Sequence, residues 1–166
     1  MGRLTTAART SVVALVLSAA GIGFLQTEEG HSNRVYLDSI GKPTVCTGHM
    51  DAKMKVGTYY SPEQCDQLLR EDTGSAAYAV RQLVKVPLYQ YEFDALVSFC
   101  FNVGNTNCRS ATLFKVLNNG DYSAVPYQLS RWRFAGGLDC KVRSNNCYGV
   151  YLRRQHEGDL WRNGYK

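Results

Sequence analysis

The chain has 166 residues and a formal net charge of +5, from 19 basic and 14 acidic residues. This length fits one domain with its own core plus a short appendage. The positive charge favours an anionic partner such as nucleic acid, a membrane or the bacterial cell wall. Because the basic residues are dispersed rather than arranged in a stripe with exposed aromatic residues, the sequence argues against nucleic-acid binding.

The N-terminal segment is an uncharged, weakly apolar stretch from Thr10 to Thr27 that follows Arg3 and Arg9. It is shorter and richer in small residues than a stable transmembrane helix, which needs about 20 apolar residues. Positive charge before it predicts a cytoplasmic N-terminus and export of the remaining chain. Three interpretations are open: a buried core helix, a cleaved signal peptide, and an uncleaved anchor that can leave the bilayer.

Two carboxylates and a hydroxyl follow this segment directly. Glu29 comes two residues after Thr27, Asp38 ends a predicted strand from Val35, and Thr44 begins a β-branched return strand. A carboxylic acid that donates a proton and a carboxylate that stays ionised suit hydrolysis of a glycosidic bond. The alternative is structural, with Glu29 at a helix end and Asp38 in a turn.

Helices are predicted for most of the remaining chain. Ser61 and Gln64 form a capping-box pattern that begins a helix ending near Val84. Phe93 to Phe101 has the apolar spacing of a core helix, which Gly104 is placed to end. Shorter helices are predicted around Leu113–Leu117 and after Asp121, and a final helix around Val150–Trp161. The predicted architecture is α+β, with an N-terminal weakly hydrophobic helix, a small β-hairpin lobe and a larger helical lobe.

Six cysteines indicate an oxidising compartment and three disulfides, although sequence alone does not determine their pairing. Pairing of sequence neighbours is the simplest arrangement: Cys100 with Cys108, Cys140 with Cys147, and then Cys46 with Cys65.

A zinc site is the alternative use of these cysteines. Cys46, His49 and Cys65 could supply three ligands, but no second close-spaced pair completes a tetrahedral set. We therefore expect no metal ion and no cofactor.

The spacing Glu-x8-Asp-x5-Thr resembles the catalytic motif of the T-even-type phage lysozymes. Together with the N-terminal segment, it is most similar to the signal-anchor-release (SAR) endolysins of lambdoid phages. The matching positions are Glu29, Gly30, Tyr36, Asp38, Gly41, Thr44, Gly48 and His49, followed by Phe101–Gly104, Arg131–Trp132, Ala135–Gly137 and Arg153–Arg154.

The resemblance implies a lysozyme-like fold and a muramidase that cuts peptidoglycan between N-acetylmuramic acid and N-acetylglucosamine. Glu29 would be the general acid, with Asp38 and Thr44 activating water in an inverting reaction. Met50, Phe101 and Ser110 align with positions near the glycan, and His49 with a structural residue.

The resemblance also implies a division into a SAR segment, residues 1–27, and a lysozyme domain, residues 28–166. The anchored protein would lie in the host inner membrane with its catalytic domain in the periplasm, and would be released there as a monomer to lyse the cell. A signal-cleaved secreted lysozyme and a non-catalytic wall-binding module are the alternatives.

Two features depart from the family pattern. The segment from Asp139 to Tyr148 contains an apparent disulfide-closed loop before the last helix. Some relatives carry a regulatory cysteine in the anchor, whereas this chain has none before Cys46. Activation here is therefore expected to depend on movement of the anchor itself.

Overall fold

The computed structural model describes residues 8–38 and 41–166, which fall into two compact units. Among these residues, the small unit is Leu17–Ser75, and the helical unit comprises residues 8–16 with residues 76–166. The predicted α+β class is confirmed, because an antiparallel sheet occurs with a larger set of helices. Arg3 and the predicted turn residues Ser39 and Ile40 lie outside the described residues.

The small unit contains a three-stranded antiparallel sheet whose strands lie side by side in chain order. They are β1 (Ser32–Leu37), β2 (Pro43–Cys46) and β3 (His49–Met50). Val35 and Val45 are buried in its core against the disulfide of Cys46 and Cys65. The small unit also contains α1 (Ala19–Glu29) and the first part of α2 (Pro62–Leu83).

The start of α2 has the predicted capping box. The Gln64 backbone N–H donates to Ser61 Oγ at 3.1 Å, and the Ser61 N–H donates to Gln64 Oε1 at 2.8 Å. These two bonds satisfy backbone donors that a helix terminus otherwise leaves unpaired. Gly74 does not interrupt the helix, because tertiary packing outweighs its low helix propensity.

The helical unit is built around α3 (Gln90–Val103), whose side chains from Glu92 to Cys100 are all buried. As predicted, α3 ends at Gly104, which adopts a φ of 85° that favours glycine. The helices and strands that follow α3 in this unit are α4 (Asn105–Ser110), α5 (Thr112–Asn118), α6 (Val125–Ser130), β4 (Phe134–Ala135), β5 (Leu138–Asp139) and α7 (Tyr148–Asn163).

The three disulfides form as predicted between sequence neighbours. Since both sulfurs of the first pair are joined to each other, the alternative zinc site with His49 is not formed. The pairs are Cys46–Cys65, Cys100–Cys108 and Cys140–Cys147.

The predicted N-terminal helix is present, but it covers only the second part of the apolar segment. A short 3-10 turn covers Val12–Ala14, and the α-helix begins only at Ala19. There, Ser18 Oγ accepts a hydrogen bond of 3.0 Å from the Gly21 N–H and caps the helix. Only the apolar centre of the segment differs from the predicted helix. It contains three valines, whose β-branched side chains disfavour a helix.

Distant residues supply the backbone hydrogen bonds that a helix would otherwise provide. In the helical unit, Thr10 and Leu88 exchange backbone bonds of 2.8 and 2.9 Å. Arg81 Nη1 donates to the Leu15 carbonyl at 3.1 Å. In the small unit, the Arg70 guanidinium donates to the Leu17 carbonyl at 3.0 Å.

Within residues 8–38 and 41–166, none of the helices combines the length and apolar character that crossing a membrane requires.

Candidate active site

Glu29 is the last residue of α1, and its side chain is exposed. Gly30 follows with a φ of 75°, which turns the chain from the helix towards β1. Leu25 of the same helix is fully buried, and Gln26 Nε2 donates to Asp66 Oδ1 on α2 at 3.0 Å. Packing and a hydrogen bond therefore hold the end of α1 that carries Glu29.

Asp38 and Thr44 are both positioned by the backbone of Lys42. The Lys42 N–H donates to Asp38 Oδ1 at 2.8 Å, and Thr44 Oγ1 donates to the Lys42 carbonyl at 3.0 Å. The Asp38 N–H also donates to the Lys42 carbonyl at 3.0 Å, which closes the hairpin. One peptide segment thus orients the carboxylate and the hydroxyl, a role of Lys42 that the sequence motif did not reveal.

One face of the sheet carries Tyr36, Thr44 and Met50. Tyr36 pairs with Thr44, and Thr44 pairs with Met50, so that these side chains share a face. Thr44 is only 4% exposed, whereas Met50 is 55% exposed. The structure therefore brings Met50, a predicted glycan-binding residue, to the same face as the predicted catalytic hydroxyl.

His49 links the sheet to α2 rather than to a reacting group. Its Nδ1 lies 2.9 Å from Asp72 Oδ2 and 3.1 Å from Oδ1. This contact agrees with the structural role expected for His49. Asp72 was missed in the sequence, because nothing in a helical stretch marks which carboxylate faces a distant strand.

Phe101 and Ser110 belong to the helical unit, and their role near the glycan stays a prediction. Phe101 is half-buried on α3, while Ser110 ends α4 and donates from Oγ to the Asn107 carbonyl at 2.9 Å. Ser110 lines a cavity of about 260 Å³ together with Arg131 and Trp132, two residues of the predicted C-terminal motif.

The orientation of Trp132 in this cavity is set by an edge-to-face contact with Phe99, with ring centroids 5.6 Å apart. Thr112 and Gln128 also line the cavity. Sequence reasoning did not identify these two residues, since polar residues on short helices carry no distinguishing pattern.

The fold is α+β, and the helix that ends at Glu29 leads directly into the hairpin that carries Asp38 and Thr44. This arrangement is that of the lysozyme-type glycoside hydrolases. Residues 26–157 match the phage lysozyme family. The chain belongs to this family and is a muramidase, a glycoside hydrolase whose substrate is peptidoglycan.

Similar proteins include phage endolysins over most of their length. The chain is 34% identical to the SAR-endolysin of Escherichia phage 933W over 161 residues, which cover 90% of this chain and 91% of that protein. Among solved structures, the endolysin of Escherichia coli O157:H7 phage FAHEc1 matches with a TM-score of 0.78 and 32% identity, covering 92% and 96% of the two chains. A P22 lysozyme mutant matches with a TM-score of 0.78 and 31% identity, covering 90% and 99%.

Proposed function

We propose that this enzyme is an inverting endolysin in which Glu29 protonates the glycosidic oxygen while Asp38 and Thr44 direct the attacking water. The bond cut is that between N-acetylmuramic acid and N-acetylglucosamine, and its cleavage lyses the host cell. The arrangement of Asp38 and Thr44 around Lys42 is the observation that carries the proposal.

The hydrogen-bond directions give Asp38 and Thr44 complementary tasks. Thr44 Oγ1 donates its only proton to the Lys42 carbonyl, so its lone pairs remain to accept a hydrogen bond from water. Asp38 Oδ1 accepts a hydrogen bond from the Lys42 N–H, which fixes the direction in which the carboxylate faces. A water bound between these two groups can therefore donate one hydrogen bond to each of them. As the water attacks the sugar, Asp38 accepts one proton from it.

The reaction products test this mechanism. Digestion of purified peptidoglycan in water enriched in oxygen-18 is expected to give reducing-end fragments that contain one labelled oxygen, detected by mass spectrometry. Anhydro-sugar ends without label would contradict the roles of Asp38 and Thr44, because a lytic transglycosylase uses an acid but no attacking water.

In this proposal, the N-terminal segment is an anchor that exits the inner membrane without being cleaved. After exit, it becomes part of the folded enzyme. The relatives named SAR-endolysins support this interpretation. So do the burial of Leu15 and Leu17 and the side-chain donors bound to their carbonyls. In this proposal, the folded conformation corresponds to the released periplasmic enzyme, and the anchored form in the inner membrane is its precursor.

N-terminal sequencing of membrane-bound and released protein from one culture tests the anchor. Both forms are expected to begin at the same residue, because the released enzyme uses Thr10, Leu15 and Leu17 in its fold. A released, active form that begins near Gly21 would instead show that a signal peptide is cleaved.

A further inference from the structure

The helical unit contains a second cavity, of about 390 Å³, that the proposed mechanism does not use. Four basic residues line it, and we call it the basic cavity: Arg133, Lys141, Arg154 and Arg162. Among the residues that the structure describes, its other lining residues are all uncharged, and they include the hydroxyl-bearing side chains of Ser123 and Tyr151. This composition is typical of a site for a negatively charged group.

Arg154 supplies a cation that is buried in the wall of the basic cavity. Its side chain is fully buried, with Nη2 donating to Glu157 Oε1 at 2.8 Å and Nε lying 2.7 Å from Glu157 Oε2. The second contact is an ion pair without hydrogen-bond geometry. Nη1 is buried with no hydrogen-bond partner in the described part of the chain. An unsatisfied buried donor is costly, and a negative charge in the adjoining cavity would offset part of that cost.

The other three cations differ in how far neighbouring carboxylates neutralise them. Arg133 makes bonds of 3.0 and 3.3 Å to Asp139, and this contact holds the pKa of Asp139 below its ordinary value. Arg162 makes an exposed pair of 3.2 Å with Asp159, which is weak in water. Within the described residues, the Lys141 ammonium makes no ion pair within 4.0 Å, and its charge makes only a minor contribution to the lowering of the pKa of Asp139. The ammonium is therefore the least neutralised cation of the cavity.

The loop closed by Cys140 and Cys147 holds Lys141 at the edge of this cavity. The Lys141 N–H donates to Asp139 Oδ1 at 3.0 Å, and Asn145 Nδ2 donates to the Asp139 carbonyl at 2.8 Å. The disulfide joins two cysteines that are seven positions apart in the sequence, and it closes the loop between them. This loop therefore contributes Lys141 as one of the four cations of the basic cavity.

We propose that the basic cavity binds a phosphate group, either free or carried on a phospholipid headgroup. Its cations come from α7, from the residue before β4 and from the disulfide-closed loop. They can therefore approach a tetrahedral oxyanion from several sides, whereas a planar carboxylate offers only two oxygens. Arginine pairs with phosphate through two parallel N–H bonds, and lysine binds it as a point charge. None of the residues of this cavity belongs to the proposed catalytic site.

The test uses the full-length protein and inorganic phosphate, with ionic strength held constant by chloride. Saturable binding is expected in calorimetry, accompanied by backbone amide shifts around residue 141 in nuclear magnetic resonance spectra. Lys141→Ala should weaken phosphate binding at least about fivefold, because one charge-assisted contact is lost. Lys115→Ala removes the same charge from an exposed position on α5 outside the cavity, and it should leave binding unchanged.

Phosphatidylglycerol vesicles identify the source of the phosphate. Vesicle binding that depends on Lys141 and is displaced by inorganic phosphate supports a lipid headgroup, while phosphate binding without such vesicle binding supports a small free ligand. The proposal is overturned if phosphate does not saturate the protein or if both lysine variants weaken binding equally. It is also overturned if phosphate-free peptidoglycan fragments, but not phosphate, bind in a Lys141-dependent manner.

Discussion

Replacing Glu29 with glutamine is expected to lower the rate of cell-wall hydrolysis by at least about 100-fold, the lower range for loss of a general acid. The amide keeps the size of the side chain but cannot give a proton to the leaving oxygen. Because Glu29 is exposed at the end of α1, the fold should tolerate the change. The measurement is the initial rate of turbidity loss with purified peptidoglycan, alongside circular dichroism of each variant.

Glu71→Gln is the matched control, since Glu71 is also exposed in the small unit and the change in charge is the same. Its activity should stay within about twofold of the unmodified enzyme. Asp38→Asn and Thr44→Ala should reduce turnover, whereas Thr44→Ser keeps the hydroxyl and should restore most of it. A folded Glu29→Gln enzyme with near-normal activity would exclude Glu29 as the acid.

The predictable parts of the fold are those that depend on neighbouring residues. Ser61 and Gln64 are three positions apart, and Gly104 ends α3 by a conformation that its own backbone permits. By contrast, β3 has only two residues, His49–Met50, which is too short for an alternating pattern. The helix Asn105–Ser110 was not predicted from the sequence, because its apolar content is low.

The path of the N-terminal segment illustrates why sequence reasoning fails over long separations. Its apolar composition predicts a helix, but Arg81 and Gln90 bind the carbonyls of Leu15 and Val16 from positions more than sixty residues away. Likewise, the motif identifies Asp38 but not the Lys42 peptide that orients it. The sequence shows which residues carry reactive groups. The backbone or side-chain group that orients each of them is known only from the folded structure.

Arg9→Gln is expected to destabilise the released enzyme by about 2–4 kcal/mol, because it leaves the buried Glu92 carboxylate without its cation. Arg9 Nη2 donates to Glu92 Oε1 at 2.7 Å, and Arg9 Nε lies 3.0 Å from Oε2, while the Glu92 side chain is only 2% exposed. The guanidinium also lies 4.6 and 3.8 Å from the ring centroids of Tyr89 and Tyr122. The hydrogen bond to Glu92 raises the pKa of Arg9 despite the opposing effect of burial.

Thermal unfolding measures this loss, and the midpoint should fall by about 5–12 °C for a chain of this size. Arg109→Gln removes an exposed arginine from the same unit and should change stability by less than about 0.5 kcal/mol. The double variant Arg9→Gln with Glu92→Gln should be more stable than the sum of the single effects predicts, since no buried charge then lacks a partner. Equal effects of Arg9→Gln and Arg109→Gln would disprove the contribution of the ion pair.

The same substitution is also expected to weaken the retention of the proposed anchored form in the membrane. In the proposed anchored form the N-terminus lies in the cytoplasm, where Arg9 cannot reach Glu92 on the periplasmic side. The ion pair would therefore form only after the charge of Arg9 crosses the bilayer. The membrane potential opposes this transfer by roughly 2.3 kcal/mol per charge for each 100 mV. Arg9→Gln should therefore increase the released fraction in energised cells, measured by fractionation before any depolarising agent is added, even though the released enzyme is less stable. An unchanged or smaller released fraction would show that Arg9 does not hold the anchor in the membrane.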